Sequence, residues 1–256
     1  MAVVKLGGSL LDDAARRADA LAQIASRWNA GEELVLVHGG GKHIDAALQT
    51  AGIPKRTHAG LRITDDATLE IVVSVLAGRV NKMLVSELAA LCVRAAGLSG
   101  CDGATLLAEA HPPIDGVALG HVGRVTRANA GLLRAMLTQG VMPVLSSVGA
   151  GVKGELFNIN ADSAAAAVAA ALHAPELRFL TDVEGLFDAN GSVVPHLNAD
   201  GIEQMLASPA VSGGMKPKLQ AALSALKSGV GRITIGLPPN ASHPLPTDGG
   251  TTLVAA

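Results

Sequence analysis

The chain has no tyrosine, one tryptophan and three phenylalanines in 256 residues, so aromatic side chains make up 2% of it. A surface that stacks on bases needs aromatic side chains and excess positive charge. Both are missing, since the formal net charge is -2, and a nucleic-acid partner is excluded on that ground. Cysteine is scarce too. Cys92 and Cys101 are the only two and lack CxxC spacing, which argues against a zinc site or a redox pair and for buried free thiols. No uncharged apolar run is long enough to span a bilayer. The first residues already carry a strand pattern in place of a secretory leader, so the cytoplasm is the expected compartment.

What is abundant is aliphatic. Hydrophobic residues are 49% of the chain, and with so few rings the core has to be built from Ala, Val, Leu and Ile. Val3–Leu6 reads as a buried strand running into Gly7-Gly8-Ser9, and a helix is expected from about Asp12 to Trp28. Leu34–Val37 is a second apolar strand, followed by His38-Gly39-Gly40-Gly41 and a helical stretch from Ile44 toward Gly52. A strand, a glycine turn and a helix have then occurred twice, the signature of βα units on a mainly parallel sheet.

Residues 54–66 are polar and basic and read as an irregular or hairpin segment over the sheet's edge, with Asp65 or Asp66 capping the next helix. Leu69, Val72, Val73 and Leu76 recur at helical spacing. A further helix is expected over Asn81–Ala96, strand and hairpin pieces over 98–126, and a helix over Leu132–Gln139. Val141–Leu145 reads as a strand in spite of Pro143, which removes a ladder donor. Phe157–Asp162 leads into an alanine-rich helix, and Leu177–Leu180 and Arg232–Ile235 are the last clear strands before a loop over 236–250 and the short apolar end Thr251–Val254.

Ligands in open α/β sheets collect beyond the carboxyl ends of the strands. There this chain places glycine turns, Ser146 and Ser147, and Thr181 and Asp182. It lacks a GxxxxGK[ST] loop, and its first βα turn lacks GxGxxG. No Ser-His-Asp or Cys-His spacing suggests nucleophilic catalysis, and His38, His58 and His121 read as structural or substrate-lining. Lys5 stands inside an apolar strand. It either snorkels from an edge or brings an ammonium to the sheet's rim. Asp162 is its natural partner, or else an ordinary helix cap. In Ser212-Gly213-Gly214-Met215-Lys216-Pro217-Lys218-Leu219, two glycines precede a helix whose first turn admits Pro217. Lysines at that end are unfavourable unless an anion sits there, and local rules do not separate Lys216 from Lys218. Lysines, a carboxylate and glycine turns suit phosphoryl transfer, which asks for charge neutralisation and positioning.

The ordered motifs VKLGGSLL, VHGGGKHID, GLRITDDATLE, GRVNK, GLSGCDG, LGHVG, PVLSSVG, NINAD, FLTDVEGL and GGMKPKL resemble the amino-acid kinase superfamily, and within it the N-acetylglutamate kinases, from about residue 3 to the end. The resemblance implies a three-layer αβα sandwich around an open, mainly parallel eight-stranded sheet. It implies an N-terminal lobe (about 1–150) for the amino-acid substrate and dimer contacts, and a C-terminal lobe (about 151–256) for ATP. The implied reaction moves the γ-phosphoryl of Mg-ATP to the side-chain carboxylate of N-acetyl-L-glutamate, a step of arginine biosynthesis, with Mg held mainly by ATP and no protein metal site.

By the same resemblance, Lys5 and Lys218 are the transition-state lysines and Asp162 holds both. Gly7, Gly8, Gly40 and Gly41 offer N–H groups to the phosphoryl in flight. Gly39, Gly40, Gly60, Arg62 and Asn158 bind the acceptor, with Arg62 on its α-carboxylate. Thr181, Asp182, Gly185, Leu186, Phe187, Gly213 and Met215 line the nucleotide. Lys216 is left as a surface or nucleotide-edge residue. No helix precedes the first strand, so the resemblance implies a homodimer insensitive to arginine, with the helix from Leu69 to Val80 either at the dimer interface or in the core. Alternatives are a sister kinase for N-succinylglutamate or carrier-bound aminoadipate, a silent nucleotide-binding regulator and, on βα alternation alone, a dinucleotide-dependent oxidoreductase.

Overall fold

Strand β1 (Ala2–Leu6) is fully buried, Lys5 included. The computed structural model describes residues 1–188, 190–208, 214–238 and 250–255. After β1 come α1 (Gly8–Asp12) and α2 (Ala14–Asn29), where Asp13 caps by accepting from the N–H groups of Ala15 and Arg16. Next are β2 (Leu34–His38) and α3 (Gly41–Thr50). Strands β3 (Thr57–His58) and β4 (Leu61–Arg62) form the hairpin expected over 54–66. Its two linking residues, Ala59 and Gly60, have φ of 47° and 79°, the left-handed pair that a tight two-residue hairpin turn requires. Asp65, not Asp66, caps α4 (Asp66–Val73), accepting from the Thr68 N–H at 3.0 Å.

That helix runs on through a wider π-type turn (Ser74–Val80) into α5 (Asn81–Ala90). Val72, Val75, Leu76 and Val80 are buried in the monomer, whereas Leu69 and Val73 are half-buried. The expected helix to Ala96 ends early. Cys92 takes φ 61°, its N–H reaches Ala89 O, and the Val93 N–H reaches Leu88 O. This is a Schellman stop with cysteine where glycine is usual. Ala95–Ser99 then forms β5.

Strands β6 (Leu106–Ala110) and β7 (Val122–Ala128), helix α6 (Gly131–Thr138), and strands β8 (Met142–Ser146), β9 (Val148–Ala150) and β10 (Leu156–Ile159) follow. Then come α7 (Ala161–Leu172), β11 (Glu176–Leu180), β12 (His196–Asn198), α8 (Ala199–Ala207), α9 (Met215–Lys227), β13 (Arg232–Gly236) and β14 (Thr251–Val254). The sequence reading assigned nothing to β12 and α8. They are short, and the two end residues of β12 are exposed.

Eight strands form one sheet in the order β12-β14-β13-β11-β1-β2-β8-β5. Every neighbouring pair is parallel except β13–β14. Strands β10, β7, β6 and β9 close into a small barrel beside it. Pro143 fits because the Met142 N–H faces β5 through Arg94 O. The proline nitrogen therefore faces β2, where pairing begins only at Leu36↔Val144.

Side chains alternate across the sheet and build two cores. Val3, Val35, Val37, Leu177 and Phe179 pack under α7 and α9. Ala2, Val4, Leu6, Leu34 and Leu36 pack under α2, α3 and the 66–90 rod. This is the expected three-layer αβα architecture. The odd-numbered face of β1 looks toward α7, and Lys5 lies on it.

Candidate active site

Lys5 sits mid-sheet, in register with Val37 on one side and Phe179 on the other, so it cannot snorkel from an edge. An ammonium there needs a partner, and Asp162 Oδ1 meets Lys5 Nζ at 2.9 Å. Asp162 is free for this because Asn160 caps α7, accepting from the N–H groups of Asp162 and Ser163 at 2.9 and 3.1 Å. The same Oδ1 accepts from Lys218 Nζ at 3.1 Å. Lys218 also lies 5.0 Å from the centroid of the Phe179 ring, within cation–π range. Lys5, Asp162 and Lys218 are only 7%, 6% and 6% exposed, whereas Lys216 faces solvent. Two residues of α9, about half a turn, thus put on opposite faces two lysines that local rules left equivalent.

Burial works to raise the Asp162 carboxyl, but the ammonium groups of Lys5 and Lys218 outweigh it and hold it below the ordinary carboxylate value. Burial pushes Lys218 down, with Lys5 adding to the shift and Asp162 opposing it. The buried cluster carries one positive charge more than negative, which an anion would balance.

The two glycine turns flank it. Gly7 departs from its expected donor role: its N–H is donated to Leu180 O at 2.8 Å. A Cβ at Gly7 would stand 2.7 Å from that same oxygen, so the glycine lets the turn pack on β11. Gly8 and Gly41 have open space where a side chain would be, and Gly39 abuts Ala161. Gly40 is the cap residue of α3 and supplies no side-chain hydrogen bond, so the N–H groups of Gly41, Lys42 and His43 have no intrahelical partner. A Cβ on Gly40 would come within 2.9 Å of Leu76.

On the hairpin side, Arg62 donates through Nη2 to Asp45 Oδ1 and to Gly41 O, the latter at 3.2 Å. Its Nη1 is buried and has no partner, which leaves half of the guanidinium fork for a carboxylate. Asp45 is shared with Lys55 at 2.8 Å. Burial would raise the Asp45 carboxyl, and these two cations pull it lower. Asn158 Nδ2 donates to Thr64 Oγ1 at 3.1 Å. Gly60 lies at the exposed hairpin tip.

At the end of β11, the Thr181 N–H reaches Gly236 O at 2.9 Å and its hydroxyl donates to Asp182 Oδ1 at 3.2 Å. Burial works to raise Asp182. Hydrogen bonds from Ser9, its own backbone and Thr181 hold it below its usual value, with help from Arg16. Gly185 is packed against Thr251 and Val193. Leu186 is 1% exposed within the α7–α9 core. Its N–H is taken by Thr251 Oγ1 at 2.8 Å. Phe187 is 43% exposed, and half-buried Met215 opens α9. Gly213 lies outside the described residues.

The chain matches the Amino acid kinase family over residues 1–236. It belongs to that family. It is 43% identical to the acetylglutamate kinase of Solibacter usitatus, over 91% of this chain and 89% of that one. Identity to the acetylglutamate kinase of Methanopyrus kandleri is 41%, over 90% and 92%. Among solved structures, one from Streptococcus mutans UA159 superposes with a TM-score of 0.87 at 31% identity, covering 100% of this chain and 98% of that one. The N-acetylglutamate synthase of Neisseria gonorrhoeae, complexed with coenzyme A and N-acetyl-glutamate, gives 0.86 at 25% identity, covering 100% of this chain and 59% of that one.

One feature of this amino acid kinase went unread in its sequence, and a second, read only as structural or substrate-lining, gains its partners from the fold. Asp45 closes the VHGGGKHID motif but had no role until the fold brought Arg62 to it. His38, which opens the glycine turn, is fully buried. Its Nδ1 donates to Gly39 O at 2.9 Å and its Nε2 accepts from Asn81 Nδ2 at 3.0 Å. Asn81 also donates to Val144 O at 2.9 Å, and a Cβ on Gly97 would fall 1.8 Å from Asn81 Oδ1. One network thus ties His38, the Asn of GRVNK and the first Gly of GLSG.

Burial lowers the His38 pKa from 6.5 to about 4, with smaller contributions from His43 and Lys82 in the same direction and an opposing one from Gly39 O. The folded value lies below the unfolded one. Its contribution is therefore complete above pH 6.5 and is lost as pH falls toward 4. Over that window the wild type is expected to lose about 3 kcal/mol through this group. Unfolding measured against pH should show the loss, and His38→Gln should lack it.

Proposed function

We propose that this chain transfers the γ-phosphoryl group of ATP to the side-chain carboxylate of N-acetyl-L-glutamate. The observation that carries the proposal is the buried Lys5–Asp162–Lys218 cluster at the carboxyl rim of a parallel sheet, between two glycine turns. Curated relatives named acetylglutamate kinase, at 41–43% identity over about nine-tenths of the chain, support the choice of acceptor.

The acceptor carboxylate is ionised at neutral pH, so no base is required. Its oxygen attacks the γ-phosphorus, the bond from that phosphorus to the β–γ bridging oxygen breaks, and ADP leaves with the electron pair. The barrier is the approach of one anion to another, and fixed cations and N–H donors lower it. Lys5 and Lys218 neutralise the phosphates from two sides, and Asp162 keeps both ammonium groups aimed. The Gly8, Gly40 and Gly41 turns let the phosphoryl group approach the backbone. Arg62 Nη1 takes the acceptor's α-carboxylate, while Asn158, Gly39 and Gly60 border it. Thr181, Asp182, Gly185, Phe187 and Met215 border the nucleotide, and Gly213 belongs with them by its motif. In this reading the acceptor side falls in residues 1–150, with Asn158 added from the other lobe, and the nucleotide side in 151–256. Mg arrives on the phosphates of ATP. Among the described residues, no group of three His, Cys, Asp or Glu side chains is placed to hold a metal ion.

Hydroxylamine trapping of the acyl phosphate tests the reading. Hydroxamate is expected with ATP and N-acetyl-L-glutamate and at a much lower rate with N-succinyl-L-glutamate. Preference for the succinyl compound would transfer the assignment to a sister kinase, and no hydroxamate with any acceptor would sink it. Arg62→Lys retains the charge but loses the fork. It is expected to raise the acceptor KM by about ten- to a hundredfold, with kcat nearly unchanged. Initial rates against acceptor concentration check this.

A further inference from the structure

A second contact, outside the lysine cluster, joins the two glycine turns. Asp12 ends α1, one helical turn after Gly8, and His43 stands in the first turn of α3, two residues after Gly41. Asp12 Oδ1 lies 3.2 Å from His43 Nδ1, and Asp12 Oδ2 lies 3.3 Å from Lys42 Nζ. The side chains of Asp12 and His43 are 16% and 18% exposed, against 74% for Lys42. Asp12 Oδ2 and His43 Nδ1 are shielded from solvent, yet neither makes a well-directed hydrogen bond. Two shielded polar atoms in that state carry a desolvation cost. A small approach of α1 to α3 that aligns the Nδ1–H on Oδ1 would relieve it at the imidazole, leaving Oδ2 to the Lys42 ammonium. That approach would also bring the two glycine turns together.

We propose that Asp12 and His43 are a positioning clasp. The pair aligns into a hydrogen bond as the Gly7-Gly8 and Gly39-Gly40-Gly41 turns close on the transferring phosphoryl group, and so sets their spacing in the transition state. This rests on the phosphoryl-transfer reading given above. Contacts that tighten only as the reaction proceeds raise kcat without changing ground-state binding. The pair touches neither substrate and acts through the turns.

Steady-state kinetics and thermal unfolding of Asp12→Ala, His43→Ala, His43→Asn and the double alanine variant test it. Asp12→Ala and His43→Ala should each lower kcat by about tenfold, with KM for ATP and N-acetyl-L-glutamate within about twofold of wild type. His43→Asn places an amide N–H where Nδ1 stood and should retain most of kcat. The double variant should be no slower than the slower single one, because both remove one contact. Wild-type kcat in both single alanine variants would overturn the clasp. So would equal loss in His43→Ala and His43→Asn, or losses that multiply in the double variant. If Asp12→Ala does not fold, the two His43 variants decide by themselves. A wild-type enzyme that forms no acyl phosphate contradicts the phosphoryl-transfer reading, whereas an active wild type with unaffected variants contradicts only the clasp.

Discussion

Lys218→Ala is expected to lower kcat for acyl-phosphate formation by about two to three orders of magnitude, with the fold retained. The ammonium sits 3.1 Å from Asp162 and is almost fully buried. It is already desolvated and aimed before substrate arrives, so its effect falls on the transition state rather than on binding. Removing it leaves Asp162 paired with Lys5 at 2.9 Å, so no buried charge is stranded and thermal stability should change little. Lys216→Ala is the matched comparison, since that side chain lies two residues away on the solvent face. Rate measurements on the two variants should separate them widely.

Asp162→Ala should be worse in a different way. It strands two buried ammonium groups, each only 6–7% exposed, that now repel each other. Breaking a buried ion pair from one side costs about 3–5 kcal/mol, and here one carboxylate serves two partners. A large fall in melting temperature is expected along with near-complete loss of activity. The wild-type carboxylate is held below its ordinary pKa. Its contribution is therefore present above the unfolded carboxyl value and fades as pH falls through the folded one. Adding Lys5→Met and Lys218→Met to Asp162→Ala removes the stranded charges and should recover much of the stability but none of the activity. Chemical denaturation and activity assays on the triple variant separate the two roles of the cluster.

The strands and most helices were legible because their apolar patterns are strong and their ends carry ordinary signals, such as the cap at Asp65. Where the reading went wrong, a stop signal was disguised. Cys92 takes the left-handed position that glycine normally fills, so the helix from Asn81 seemed to continue into what is β5. Short exposed elements such as β12 have too few alternating residues to stand out. At the site, residue type alone marked Lys5 as anomalous. It could not show that β1 lies between β11 and β2, which is what forces a buried partner. Asp162 read equally well as a helix cap until Asn160 proved to occupy that role. At Gly7 and Leu186 the fold already uses the N–H groups, on Leu180 O and Thr251 Oγ1, which a motif does not record. Arg62 and Asp45, separated by a turn and a hairpin, could be paired only through the fold.

The most direct test is the stoichiometry of turnover. ADP release and hydroxamate formation should be measured together, with and without N-acetyl-L-glutamate. The predicted result is ADP formation that depends on the acceptor and matches hydroxamate one to one, falling in parallel in Lys218→Ala. ADP released at the same rate without acceptor, or turnover unaffected by the loss of Lys218, would contradict it.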